Sequence, residues 1–142
     1  MAQLLVEGGE PERNLQRAEK LIRDAAAQKC DLVLLPETLD LAWTHPSALT
    51  ETETIPGKFS DFFCALAKEL NIWLCLGLTE KQNEKRYNAA ILINNSGVIV
   101  HRYHKINLLE VEFPFYSNSD EVLDFLVSSF SLYNKCRTMQ LL

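Results

Sequence analysis

Asp31-Leu32-Val33-Leu34-Leu35-Pro36-Glu37 is the stretch that decides how this chain folds. Its apolar run shows no alternation, which predicts a strand covered on both faces, as in a mostly parallel sheet. Pro36 closes the run because it has no N–H to give to a ladder. Glu37 then emerges from the end of a buried strand, where open α/β sheets place their ligand sites. Partial burial there would disfavour the charged carboxylate and suit a general base. The alternative is a solvated Glu that opens a loop.

Working outward, residues 2–6 predict a short strand, and Glu7-Gly8-Gly9-Glu10-Pro11 breaks the chain. Leu15, Ala18, Ile22 and Ala25 recur with helical spacing up to about Lys29, with Arg, Glu and Lys between them as a solvated face. On the other side, residues 38–57 are polar, contain Pro46, Pro56 and Gly57, and read as an irregular excursion. Phe59, Phe62, Phe63, Leu66, Ala67 and Leu70 predict a second amphipathic helix. Strands follow at 72–78, 87–93 and 98–103, the last two joined by the turn Asn94-Asn95-Ser96-Gly97. Alternating strands and helices followed by a meander indicate an α/β domain with a mixed sheet.

Composition narrows the function classes. The 142 residues suit one domain, with 47% hydrophobic and 23% charged residues and a net charge of −5. That balance carries no basic footprint for nucleic acid. No apolar run approaches the ~20 residues needed to span a bilayer. The N-terminal residues lack the pattern of a signal peptide, so the expected compartment is cytoplasmic. Cys30, Cys64, Cys75 and Cys136 form no CxxC pair and no zinc spacing. The first three sit in apolar segments, as small hydrophobes do. His101 and His104, three apart in a strand, are expected on opposite faces. These spacings suggest no metal site. Gly8-Gly9 alone does not make the glycine-rich turn of a nucleotide-binding α/β domain.

A second candidate stretch is His101-Arg102-Tyr103-His104-Lys105-Ile106-Asn107-Leu108-Leu109-Glu110-Val111-Glu112. Lys105 stands where a strand gives way to a loop, with Glu110 and Glu112 shortly after. A Lys held near carboxylates can stabilise the oxyanion of acyl transfer. The alternative is a charged surface loop.

Leu34-Leu35-Pro36-Glu37 and Arg102-Tyr103-His104-Lys105-Ile106-Asn107-Leu108 together resemble the Glu and Lys signatures of the nitrilase superfamily of carbon–nitrogen hydrolases. Val6-Glu7-Gly8-Gly9, Ile55-Pro56-Gly57 and Tyr87-Asn88-Ala89-Ala90 fit the same pattern, in order, across residues 2–116. The resemblance implies part of an αββα sandwich, commonly oligomeric, with a Glu–Lys–Cys triad and no cofactor. Glu37 would be the general base and Lys105 the oxyanion partner. Glu112 would help position substrate, with Glu110 as the alternative. A small amide, nitrile or carbamoyl compound would be attacked by a Cys to give a thioester or thioimidate, which water resolves.

The resemblance fades after Tyr116. Residues 1–121 are assigned to the N-terminal portion of such a domain and 122–142 to a divergent tail. Cys136 falls about where the nucleophile would stand, with Lys135 beside it to favour the thiolate. The tail lacks the glycines of a tight elbow, so a chance Cys is the competing reading. Two functions follow. One is a carbon–nitrogen hydrolase of low or no activity, in which the C-terminal half is missing or divergent. The other is an inactive half-domain that pairs with a full-length relative. In either case one face of the sheet is expected to lack cover, which favours a homo-oligomer or a partner chain.

Overall fold

The structure is a computed structural model and describes residues 1–119. The tail 122–142, with Cys136, lies outside the described residues. Helix α1 spans Pro11–Ala27 and carries its proline in the first turn, where a missing N–H costs nothing. Strand β1 (Leu32–Leu34) follows, and a single 3₁₀ turn at Pro46–Leu49 interrupts the irregular excursion. Helix α2 (Lys58–Leu70) starts where the Ser60 hydroxyl accepts the Gly57 N–H, and ends on Asn71 in the left-handed conformation. Strands β2 (Trp73–Gln82), β3 (Lys85–Ile93) and β4 (Ile99–His104) complete the described elements. Among these residues no helix is long and apolar enough to cross a membrane.

The sheet order is β1-β2-β3-β4, with β1 parallel to β2 and the remaining pairs antiparallel. This is the mixed α/β sheet that the sequence predicts. Leu74, Leu76 and Leu78 of β2 pair with Ile93, Ile91 and Ala89 of β3, so all six share one face. On that face they join Leu15, Ala18 and Ile22 of α1 and Phe59, Phe63 and Leu66 of α2 in one buried cluster. Both helices therefore cover the same side. Arg23 on α1 and Glu69 on α2 lock their outer edges with two hydrogen bonds of 2.6 and 3.1 Å.

Three expectations need correction. Residues 2–6 form no regular strand, although the Ala2 N–H bonds the Leu34 carbonyl at 2.9 Å. β1 is not covered on both faces: Val33 is buried, whereas Leu34 is 43% exposed. Its apolar run reflects a second face that is only partly enclosed, where Cys75, Ala90, Leu92 and Tyr103 are half-buried. The strands β2 and β3 also run further than their apolar cores suggest. Their hairpin closes at Gln82↔Lys85, because antiparallel backbone pairing continues through polar residues such as Lys81 and Arg86.

Gly77 controls how β1 leaves the sheet. Its N–H donates to the Pro36 carbonyl at 3.0 Å and its carbonyl accepts the Leu39 N–H at 3.0 Å. A regular parallel ladder leaves one residue between two such bonds; here Glu37 and Thr38 both lie between them, as a bulge. Thr38 takes φ 43°, a left-handed conformation uncommon for a β-branched residue. A Cβ on Gly77 would stand 2.3 Å from the Glu37 Cα and 2.9 Å from the Thr38 nitrogen. Since both are backbone atoms, Gly77→Ala is expected to push the bulge off the sheet and destabilise the protein by about 3 kcal/mol. Urea unfolding of the variant measures this, and an unchanged midpoint would contradict the close approach.

Candidate active site

The bulge turns Glu37 toward the end of the sheet where β4 stops. The next residue after β4 is Lys105, whose N–H still bonds the Asn88 carbonyl of β3 at 2.9 Å. Tyr103, on the same face by alternation, accepts the Ile106 N–H on its hydroxyl at 3.3 Å and holds the turn that follows. The chain then runs to a 3₁₀ turn at Glu110–Glu112. There the Glu112 carboxylate reaches back to accept the Leu109 N–H at 2.8 Å. The segment beyond is tied to β3: Arg86 donates through Nε to the Phe115 carbonyl, and Ser117 N–H donates to the Arg86 carbonyl.

These supports bring three sequence-predicted residues together. The Lys105 ammonium donates to Oε1 and Oε2 of Glu112 at 3.0 and 2.9 Å, and lies 3.5 Å from Oε2 of Glu37. Glu110, the alternative to Glu112, is exposed. Glu112 has no solvent exposure, Lys105 keeps 27% of its side chain exposed, and Glu37 keeps 54%. The expected partial burial of Glu37 is therefore modest. The bulge presents its carboxylate at the open rim of the site.

Asn88 was legible only as part of a motif, yet it joins both carboxylates. Its side-chain amide donates to Glu37 at 2.9 Å and to Glu112 at 3.2 Å. The sequence signal was a buried amide in an apolar strand, which requires partners. Burial by itself pushes the Glu112 carboxyl up. The Leu109 N–H, Lys105, the Trp43 indole and Asn88 outweigh it, and the carboxyl is held below its usual range. Burial likewise acts to lower Lys105, but the hydrogen bond to Glu112 and the charges of Glu37 and Glu112 hold its ammonium above the ordinary value. Lysine and Glu112 are thus fixed as a charged pair. The three described cysteines are all free, and burial raises the thiols of Cys64 and Cys75.

Behind Glu37 lies a second polar group that the sequence did not reveal. Asp40 is wholly buried and accepts the Thr79 N–H on both oxygens, at 3.1 and 3.0 Å, and the Thr79 hydroxyl at 2.6 Å. Asn14, also wholly buried, donates to the Glu7 and Asp40 carbonyls and accepts the Glu7 N–H. These bonds fasten the excursion after Glu37 to both α1 and β2.

The chain belongs to the carbon–nitrogen hydrolase family, which it matches over residues 2–135. A nitrilase of Pyrococcus abyssi is 32% identical over 115 residues, covering 78% of this chain and 44% of the relative. Human deaminated glutathione amidase is 33% identical over 110 residues, covering 72% and 34%. This chain therefore spans less than half the length of these curated relatives. Among solved structures, a nitrilase-superfamily amidase from Nesterenkonia superposes with a TM-score of 0.75 at 18% identity, covering 84% of this chain and 47% of that one. An N-terminal amidase superposes at 0.72 and 20% identity, covering 82% and 30%. The fold is that of nitrilase-superfamily amidases.

Asp40 supplies a test of the polar scaffold. Burial is the largest influence on its carboxyl and pushes it up to about 6, against the hydrogen bonds of Thr79, which act to lower it. A raised folded-state value means that the folded protein holds this proton more tightly than the unfolded chain does. The resulting penalty is full above pH 6 and is relieved as pH falls through about 6 toward the unfolded value near 4. Relative to Asp40→Asn, which does not titrate, the native chain is expected to gain about 3 kcal/mol between about pH 7 and about pH 4. Paired urea titrations of the two proteins give this difference directly. A difference that stays constant with pH would mean that Asp40 is ionised as freely in the folded state as in water.

Proposed function

We propose that Glu37, Lys105, Glu112 and Asn88 form the acid–base and oxyanion half of a thiol-dependent carbon–nitrogen hydrolase acting on a non-peptide C–N bond. The observation that carries this reading is the single lysine ammonium held 3.5 Å from one carboxylate and 2.9 Å from another at the end of a sheet. Lys105 is kept charged by Glu112, so it can face a developing oxyanion without having to be recruited. Glu37, at the open rim, is the group placed to exchange a proton with reactants.

In that scheme Glu37 takes the thiol proton as sulfur bonds to the substrate carbon, and the carbonyl electrons move to oxygen beside Lys105. The C–N bond then breaks, and Glu37 returns the proton to the leaving nitrogen. Water, deprotonated by Glu37, adds to the thioester, and the C–S bond breaks to release the acid and the thiol. For a nitrile the first product is a thioimidate. Cys136 is the candidate for the sulfur from its spacing after Lys105, and it lies outside the described residues. Because its sequence context lacks the glycines of an elbow, the chain on its own is expected to turn over slowly or not at all. A small amide is the favoured substrate class. The amidases among the relatives and a Nesterenkonia amidase solved with acrylamide support that choice.

Two measurements test the reading. Titration with propionamide, followed by backbone amide shifts, is expected to perturb Glu37, Asn88, Lys105 and Glu112 together. No response at these four residues up to the solubility of the ligand would sink the assignment of the site. Any ammonia release from simple amides is expected to fall at least about 100-fold in Glu37→Gln and in Lys105→Met. The same loss in Cys136→Ser would identify the nucleophile, and turnover untouched by all three changes would place the chemistry elsewhere.

A second reading, an inactive half-domain that pairs with a full-length relative, is favoured by a specific observation. Leu109, Val111 and Phe113 flank the buried Glu112 and are all exposed, as is Trp43, whose indole also reaches Glu112. Exposed apolar groups gathered this closely mark association surfaces. Sedimentation at micromolar concentration is expected to show self-association or aggregation. A single compact monomer with cooperative unfolding would remove this reading.

A further inference from the structure

On the reverse side of the sheet from Lys105 lies a buried charged cluster that takes no part in the proposed chemistry. Glu80 of β2 is 1% exposed. Its Oε2 is 2.6 Å from Nε2 of His104, and its Oε1 accepts Nη1 of Arg102 at 2.8 Å. The same Arg102 nitrogen donates to the Ile55 carbonyl at 3.1 Å. The buried His104 ring lies flat on Tyr87, with centroids 4.1 Å apart and planes 5° from parallel. A buried carboxylate of this kind is costly unless its partners are well placed, and removing one partner leaves a charge without compensation.

The positions of these residues tie them to the site. Strand alternation sends neighbours to opposite faces. Thr79-Glu80, Tyr87-Asn88 and His104-Lys105 each contribute one member to the site face and one to the reverse cluster. His104 pairs with Ala89 as the last residue of β4, and β4 is the edge of the described sheet. An edge strand end frays unless its side chains are held. Besides the backbone bond from the Lys105 N–H to the Asn88 carbonyl, the side-chain groups that hold it are the Tyr87 ring and the Glu80 carboxylate, one residue before the lysine that must meet Glu37 and Glu112.

We infer that the His104–Glu80 pair is the positioning element for Lys105, setting from behind the sheet where the ammonium stands relative to Glu37 and Glu112. The inference rests on the proposed role of Lys105, but its test does not need turnover. His104 is a positioning residue here, since it touches no reactant. Loss of its bond to Glu80 frees the end of β4 and lets the Lys105 side chain withdraw from the two carboxylates that face it.

Competitive acylation of the full chain, with the Lys105 peptide quantified by mass spectrometry across pH, reads the titration of that amine alone. In His104→Ala the midpoint is expected to fall toward that of an ordinary lysine, with more acylation than in the native chain at a fixed pH below it. His104→Phe keeps the ring on Tyr87 but has no group to bond Glu80, and is expected to shift in the same direction. His104→Gln, which keeps a donor for Glu80, is expected to stay near the native midpoint. Ile93→Ala, a core cavity at the far end of β3, is the control: it lowers thermal stability and leaves the Lys105 midpoint in place. If His104→Ala does not fold, the contrast between His104→Phe and His104→Gln decides. A native Lys105 titration in His104→Phe, or an equal shift in Ile93→Ala, overturns the inference. If the shift appears while propionamide fails to bind, the positioning role stands and the functional reading falls.

Discussion

Glu112 is a carboxylate that water does not reach, and the site is built around keeping it charged. Its oxygens take the Leu109 N–H, the Lys105 ammonium and the Asn88 amide. Each donor comes from a different piece of chain: the 3₁₀ turn, the end of β4 and the middle of β3. If any one of them moved away, a buried acceptor would be left short, at a cost of roughly 1–3 kcal/mol or more for a charged group. The demand of this one carboxylate therefore fixes three segments relative to one another. Glu37 is placed differently. It is held by the backbone bulge against Gly77 and by a single amide, and its carboxylate stays in contact with solvent.

Much of this was legible in the sequence, for reasons that can be named. The helices announce themselves because α1 and α2 each bury one stripe against one sheet face, so their periodicity is unbroken. Glu37 and Lys105 stand at strand ends, where an apolar run gives way to a charge, and that pattern is local. Glu112 could be preferred over Glu110 only through the family resemblance, since nothing in the spacing separates two glutamates two residues apart. The structure separates them by rotation around the 3₁₀ turn, which buries one and exposes the other.

What stayed hidden depends on pairing between strands. Asn88 faces Glu37 across 51 positions of sequence, Asp40 meets Thr79 across 39, and Glu80 meets His104 across 24. No periodicity reports such partners, because each polar residue looks like a defect in its own strand until the neighbouring strand supplies the match. The expectation of a fully covered β1 failed for a related reason. Four consecutive apolar residues read the same whether the second face is sealed or half open, and here Leu34 shows that it is half open. The bulge at Glu37–Thr38 was invisible too, since its cause is a glycine in a different strand.

The arrangement of Glu37, Lys105 and Glu112 has a consequence for charge balance. Two carboxylates and one ammonium sum to one net negative charge before anything binds. On the proposed chemistry, the oxyanion appears only once Glu37 has accepted the thiol proton, so one negative charge disappears as another forms. The sum at the site is the same before attack and in the tetrahedral intermediate. Charge moves from the rim toward Lys105 without entering or leaving the enclosure. A site that conserves its charge in this way needs little rearrangement of surrounding dipoles during the reaction, and this fits a scaffold whose polar groups are already bonded to one another.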